Sequence, residues 1–94
     1  MQAQGCAPIV QAFAAGAEKV SAWGMPETIA SGISDPLIGY ERDGTYTLRL
    51  VRESGGLALS VSDDELRAAM QSLARLEGVY AEPTGASPIA ALPR

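Results

Sequence analysis

The chain has 94 residues, 47% of them hydrophobic and 19% charged, which suits one small domain that buries about 60 to 65% of its unfolded surface. Its net charge of −4, with only seven Lys and Arg residues, argues against binding to nucleic acid or to an acidic membrane, because phosphate groups attract clustered cations. The sequence contains no histidine, which excludes classical catalytic triads and removes the commonest metal ligand of proteins.

The single cysteine indicates the redox state of the protein's cellular compartment. Cys6 cannot form an internal disulfide, and this usage predicts a reducing cytoplasm. The N-terminal residues lack a basic region followed by an uninterrupted apolar run, so we expect no export signal. Without a histidine to act as its base, Cys6 is predicted to be a small buried apolar residue and not a nucleophile.

The first half of the chain predicts one helix and one irregular stretch. Residues 6–16 fit a helix, because Pro8 suits a first helical turn and Gly16 suits a helix stop. Residues 21–44 are rich in glycine and proline, which predicts an irregular segment with one helical turn at most, around residues 27–30. Long loops in compact domains are often functional, so a site is expected in this segment.

Residues 45–53 are compatible with two structures. Tyr46, Leu48 and Leu50 alternate as in a strand, whereas Leu48 and Val51 would share one face of a helix. Periodicity alone does not decide between them. The Ser-Gly-Gly that follows predicts a turn.

The second half gives the strongest local pattern. Residues 57–61 form a short apolar run that predicts a buried strand. Ser62 and Glu65 then form a capping box, in which each side chain can bind the backbone amide of the other. Apolar residues at helical spacing continue to Gly78, which suits a left-handed helix stop. This is the most clearly predicted helix in the chain.

Strand and helix alternate along the sequence, which indicates an α/β fold. After a short extended segment at residues 79–81, Glu82 and Pro83 would open a final helix that runs toward Leu92. One or two short strands cannot form a sheet that is stable by itself, because their edges stay unpaired. We therefore expect the chain to be part of a larger fold.

Five stretches of the chain together resemble a known family. The chain resembles threonine synthases and, more broadly, the pyridoxal-phosphate enzymes of the tryptophan synthase β fold (fold type II). The matching stretches occur in family order at residues 2–10 (QAQGCAPIV), 26–33 (PETIASGI), 52–56 (RESGG), 61–65 (VSDDE) and 78–86 (GVYAEPTGA). No single stretch is specific, but coincidence in series is improbable.

The resemblance implies a fold and a partial domain. Residues 1–94 would form a single partial domain, the C-terminal part of the catalytic domain, within a three-layer α/β/α architecture. The piece itself would be mostly helical with one or two short strands. Intact relatives bind pyridoxal phosphate and carry out elimination or replacement at the β or γ carbon of an amino acid.

The resemblance also implies cofactor-facing residues in the context of an intact enzyme. Gly32 corresponds to the family glycine whose backbone flanks the cofactor ring, while Glu82 and Thr84 correspond to the stretch at the pyridine end of the pocket. For each residue an ordinary structural role is also open: a turn glycine for Gly32, and a helix-start acid and cap for Glu82 and Thr84.

The reactive lysine and the phosphate-binding loop of the family correspond to sequence upstream of the matched segment. The one lysine, Lys19, lies beside Glu18 and is predicted to be a solvated surface charge. Gly55 and Gly56 precede a predicted strand, which does not provide the run of free amides that a phosphate cradle needs. We therefore expect no catalytic residue in this chain and no cofactor bound by it alone.

Other charged residues have simpler interpretations. Asp63, Asp64 and Glu65 could hold a hard cation, but they lie in one helical turn and are predicted to be solvated capping acids, so no metal site is expected. Arg49 and Arg52 could grip an anion, although a surface face explains them more simply.

Three functional hypotheses follow. The first is a truncated threonine-synthase-like polypeptide that is inactive alone. The second is a self-associating structural or interaction module, in which a homo-oligomer covers the unpaired strand. The third is one half of a split enzyme, whose missing N-terminal half is a separate polypeptide.

Overall fold

The computed structural model describes residues 1–93, in which helices dominate. The helices are α1 (Pro8–Ala15), α2 (Glu41–Glu53), α3 (Asp63–Glu77) and α4 (Pro83–Ala91), with one 3-10 turn at Ser31–Ile33. The strands are β1 (Gln2–Ala3) and β2 (Ser60–Val61). This composition agrees with the predicted partial α/β fold that is mostly helical with one or two short strands.

The two strands form a parallel pair. Gln2 lies opposite Ser60 and Ala3 opposite Val61, and the Gln4 amide donates to the Val61 carbonyl at 2.7 Å. The sequence did not predict β1, because two residues are too short to give a pattern. The predicted strand is therefore paired within the chain.

The predicted strand at residues 57–61 is shorter than expected. Only Ser60–Val61 is paired, and Leu57 is 68% exposed, so the expectation of a buried five-residue strand is wrong. The segment 79–81, predicted to be extended, is part of the connection from α3 to α4. The strand at residues 57–61 is short because its partner β1 has only two residues.

Three of the predicted helices are confirmed. In α1, Pro8 is the first residue and Gly16 ends the helix in a left-handed conformation with φ of 68°. In α3, both hydrogen bonds of the capping box between Ser62 and Glu65 are present, and the helix stops at Gly78 with φ of 65°. The final helix begins at Pro83, as expected from a proline in the first turn.

The ambiguous segment is a helix, α2, and it begins earlier than residue 45. Of the alternating residues Tyr46, Leu48 and Leu50, only Leu48 is buried, so the alternation does not mark a buried strand face. Gly44 lets α2 approach the preceding loop, because a Cβ there would lie 2.5 Å from Leu37 Cδ1. The irregular stretch thus ends before α2, and its helical turn lies at Ser31–Ile33 and not at residues 27–30.

Two clusters of buried residues form the interior. The sheet core lies between the strands, α3 and α4 and consists of Ala3, Ala30, Val61, Leu66, Ala69, Ala86 and Ala90. The α1–α2 core consists of Ala12, Val20, Leu37 and Leu48. Within residues 1–93, no helix has the length and apolar character needed to cross a bilayer.

Candidate functional site

Two of the three predicted site residues are brought together by the fold. The Gly32 amide donates to Thr84 Oγ1 at 3.0 Å across 52 residues of sequence. Gly32 lies in the 3-10 turn, and Thr84 is the second residue of α4. We call this pair the Gly32–Thr84 contact. It joins the irregular segment to the start of the last helix.

The contact explains why residue 32 is a glycine. A Cβ at this position would lie 2.9 Å from Thr84 Oγ1 and 3.0 Å from Thr84 Cγ2, closer than side-chain atoms normally approach. A cofactor ring against the Gly32 backbone is therefore not needed to account for this glycine. The close approach of Thr84 is sufficient reason for a glycine at position 32.

Glu82, the third predicted residue, is the N-cap of α4. Its Oε1 accepts a hydrogen bond from the Gly85 amide at 2.8 Å, which satisfies one of the free donors of the first turn. Glu82 and Gly32 are exposed and Thr84 is half-buried. The Gly32–Thr84 contact therefore lies on an open face and not in a closed pocket, and Glu82 precedes Thr84 by two residues in the chain.

An internal proline helps to define the position of Thr84. Pro88 has no amide hydrogen, so it cannot donate to the Thr84 carbonyl as a helical residue normally would. The hydroxyl of Ser87, which is buried, donates to that carbonyl instead at 2.7 Å. Within residues 1–93 the Thr84 hydroxyl accepts from Gly32, and its proton has no acceptor. That proton can be donated outward.

The segment that carries Gly32 is fixed at two points. A Cβ on Gly5 would lie 1.8 Å from the Glu27 carbonyl oxygen, and the Glu27 amide donates to the Gly5 carbonyl at 3.1 Å. Further along, Asp63 accepts hydrogen bonds from the Thr28 hydroxyl at 2.6 Å and from the Ile29 amide at 3.2 Å. The loop is thus tied to the residues that follow each strand, at the carboxyl end of the parallel pair.

The role of Asp63 corrects the expectation of a solvated capping acid. Of the three acids in this turn, only Asp64 is exposed, and it forms an ion pair with Arg67 at 3.1 Å. No local signal in the sequence connects Asp63 with a threonine 35 residues earlier, so sequence reasoning missed this contact. Among the described residues, no group of three Cys, Asp or Glu side chains could hold a metal ion.

The Gly55-Gly56 pair is occupied by its own helix. The Gly55 amide donates to the Arg52 carbonyl and the Gly56 amide to the Val51 carbonyl, at 3.1 and 3.0 Å. Both amides cap the C-terminus of α2, where the helix dipole disfavours an anion. These two glycines do not fit a phosphate cradle.

Two potentially reactive side chains have the predicted surroundings. Lys19 is exposed, and Cys6 is fully buried after β1. Burial raises the pKa of the Cys6 thiol, and the nearby charge of Asp35 raises it further. A raised pKa lowers the fraction of the reactive thiolate at neutral pH, which agrees with the expectation of a small buried apolar residue.

Arg52 differs from the expectation of a simple surface charge. Its guanidinium donates to the carbonyls of Ala12 and Ala17, at the end of α1, and lies 5.8 Å from the centre of the Phe13 ring. A cation at a helix C-terminus is favourable, because the free carbonyls there carry partial negative charge. Arg52 thus joins α2 to α1.

Comparisons with known proteins agree on one family. The family model described as pyridoxal-phosphate dependent enzyme matches residues 1–94. The chain is 45% identical over 92 residues to a threonine synthase of Methanosarcina acetivorans and 41% identical over 92 residues to one of Methanocaldococcus jannaschii. In each case the match covers 98% of this chain and 22% of the relative.

A solved structure matches the fold as well. The crystal structure of a threonine deaminase from T.th. superposes with a TM-score of 0.71 and 27% sequence identity. The match covers 96% of this chain and 31% of that protein. The chain therefore spans about a fifth to a third of the length of the proteins it resembles.

Proposed function

The chain belongs to the family of pyridoxal-phosphate-dependent enzymes, and we propose that it forms one wall of the cofactor pocket of a threonine-synthase-like enzyme. The observation that carries the proposal is the Gly32–Thr84 contact, which unites two residues that the family resemblance assigns to the cofactor. The chain is 41 to 45% identical to two threonine synthases but 27% identical to the threonine deaminase. This difference supports a threonine-synthase-like enzyme over a deaminase-like one.

The residues of this face are suited to a flat, polar ring. Gly32 is exposed and has no side chain, so a ring can lie directly against its backbone. The unused hydroxyl proton of Thr84 can be donated to an acceptor on the ring edge. Glu82, through its bond to Gly85, fixes the start of the helix that carries Thr84. When bound, pyridoxal phosphate would supply an electron sink for elimination or replacement at an amino-acid substrate.

The remaining machinery of such an enzyme would come from outside residues 1–94. We propose that the reactive lysine and the phosphate-binding loop belong to another part of the enzyme, because Lys19 is exposed and the Gly55 and Gly56 amides are occupied. Residues 1–94 are then one partial domain of a three-layer α/β/α fold. The buried, unpaired Cys6 supports a reducing compartment such as the cytoplasm.

A chimeric enzyme tests the proposal. In the Methanosarcina acetivorans threonine synthase, the stretch matched by this chain is replaced with residues of this chain. We expect the chimera to retain pyridoxal phosphate through dialysis, with its visible absorption band. Gly32→Ala should weaken retention about tenfold, because the new Cβ separates the turn from Thr84.

Gly24→Ala is the matched control. A Cβ on Gly24 meets no heavy atom within 4 Å, so this variant should retain the cofactor like the parent chimera. A folded chimera without cofactor, or equal retention by the Gly32 and Gly24 variants, would contradict the proposal.

The isolated chain provides a second arm. Incubated with pyridoxal phosphate, it should give no stable absorption band beyond that of the free compound. A stable band that Lys19→Ala abolishes would show that the chain carries its own reactive amine, and the proposed division of the enzyme would then be wrong.

A self-associating module is the second candidate, and exposed apolar side chains favour it. Among the described residues, these include Met25, Leu57, Leu76, Tyr80 and Leu92. A homo-oligomer, or a separate polypeptide that supplies the missing half, would cover such surface. Two measurements separate these alternatives from the leading proposal. A stable oligomer of the isolated chain in light scattering favours the self-associating module. Co-purification of a partner polypeptide from the host favours a split enzyme.

A further inference from the structure

We propose that Asp63 is a positioning residue, which holds the segment 28–33 so that Gly32 meets Thr84. This inference rests on the proposed function in one respect only, namely that the Gly32–Thr84 contact faces the cofactor. The geometry itself is a property of this chain. It assigns to Asp63 a role that its position in the first turn of a helix does not suggest.

Asp63 is well placed to act as a fixed acceptor. It is the first residue of α3, directly after Ser62, whose hydroxyl accepts from the Glu65 amide at 3.1 Å. The backbone under the Asp63 carboxylate is therefore already held by the capping box. The carboxylate then reaches a segment 34 to 35 residues earlier in the chain and uses both of its oxygens there.

The bonds to this segment are charge-assisted. Asp63 Oδ1 accepts from Thr28 Oγ1 at 2.6 Å, and Oδ1 and Oδ2 share the Ile29 amide at 3.3 and 3.2 Å. Hydrogen bonds to an ionised carboxylate are shorter and about twice as strong as neutral ones. This contact is therefore stronger than a neutral turn hydrogen bond of the same loop.

Thr28 passes the constraint along the chain. Its hydroxyl donates to Asp63 and accepts from the Ala30 amide at 3.2 Å, so both functions of the group are used. Ala30 is fully buried in the sheet core, and its carbonyl accepts from the Ile33 amide at 3.2 Å. The turn that contains Gly32 therefore begins at a residue whose position depends on Thr28 and Asp63.

Asp64 supplies a matched comparison within the same helical turn. It carries the same charge and lies equally close to the N-terminus of α3, but its side chain is 95% exposed and pairs only with Arg67 among the described residues. The favourable interaction of a carboxylate with the positive end of the α3 dipole would be common to both residues. A positioning effect would belong to Asp63 alone.

Amide hydrogen exchange in the isolated chain, followed by NMR, tests the proposal without cofactor. Asp63→Asn replaces one acceptor oxygen with a donor, and it should speed exchange of the Gly32 amide about tenfold or more. Asp64→Asn should change it less than about twofold. The Leu73 amide, in the middle of α3, should respond alike in both variants.

Two variants of Thr28 keep the test decisive if Asp63→Asn unfolds the chain. Thr28→Val leaves both acids in place but removes the hydroxyl, and it should speed exchange at Gly32 as Asp63→Asn does. Thr28→Ser retains the hydroxyl and should restore the parent rate. Equal effects of the Asp63 and Asp64 variants at Gly32, or a Thr28→Val rate equal to the parent, would overturn the proposal. Since no cofactor is involved, this outcome is independent of the result with the chimera.

Discussion

The sheet core and the α1–α2 core are specified in different ways. The sheet core is mostly alanine, with Val61 and Leu66 as its larger members, whereas Val20, Leu37 and Leu48 dominate the α1–α2 core. Alanine side chains have little shape with which to fix the register of neighbouring elements. In the sheet core, polar groups such as Asp63 and Thr84 supply that register, and the candidate site lies there.

Hydrogen bonds at the α1–α2 core have a different role. The Val20 amide donates to Thr45 Oγ1 at 2.9 Å, and Arg52 binds carbonyls at the end of α1. These bonds hold one helix against another, and none involves a residue that the family resemblance assigns to the cofactor. The two regions can therefore be perturbed separately, with different effects on the Gly32–Thr84 contact.

The largest expected effects come from truncating one large side chain in each core. Leu66→Ala and Leu48→Ala each remove a fully buried leucine and should lower the free energy of unfolding by about 2–5 kcal/mol in urea titrations. Only Leu66→Ala should shift the NMR amide signal of Gly32. A comparable shift in Leu48→Ala would break the distinction between the two cores.

A close approach of two backbone segments should give the next effect. Gly5→Ala places a Cβ against the Glu27 carbonyl oxygen, and we expect a loss of about 1–3 kcal/mol, measured as a lower melting temperature. Gly24→Ala, which meets open space, is the control. If both variants melt alike, the segment that carries Gly32 is not fixed near Gly5.

Removal of the Arg52 side chain should perturb the α1–α2 core and leave the sheet core unchanged. Arg52→Ala removes the bonds to Ala12 and Ala17 and the contact with Phe13, so the free energy of unfolding should fall by about 1–2 kcal/mol. Arg49→Ala removes the same charge from the same helix and should have little effect. The Gly32 amide signal should stay in place in both, and movement in Arg52→Ala alone would couple the two regions.

The smallest effect concerns pH. Because burial and then Asp35 raise the pKa of the Cys6 thiol, the folded chain holds this proton at pH values where the unfolded chain has lost it. The free energy of unfolding should therefore fall as the pH rises above the ordinary thiol range, from about 8.5 upward. Urea titrations at pH 7 and pH 10 should show a larger fall for the parent than for Cys6→Ala. An equal fall in both would contradict this assignment.

Elements with complete local signals could be predicted from the sequence. The α3 helix has a capping box at Ser62, a helical repeat and a stop at Gly78, and all of these act within a few residues. The α2 helix was ambiguous, because Tyr46 and Leu50 are exposed apolar residues and imitate a strand face. Local pattern could not say which of them the rest of the chain would cover.

Contacts across long sequence separations could not be predicted in this way. The pairing of β1 with β2 and the bonds from Asp63 join residues more than 30 positions apart, and each depends on where other elements pack. Gly32, Glu82 and Thr84 were identified from the family resemblance, and the local pattern alone allowed a turn glycine and a helix cap. The contact between Gly32 and Thr84 became visible only in the structure.

The most direct measurement is a crystal structure of the chimera with pyridoxal phosphate bound. We expect the pyridine ring to lie in van der Waals contact, about 3.5–4.0 Å, with the Gly32 backbone, and Thr84 to lie at its edge. A ring seated instead against α1 and α2, or on a surface that excludes Gly32, would contradict the central claim.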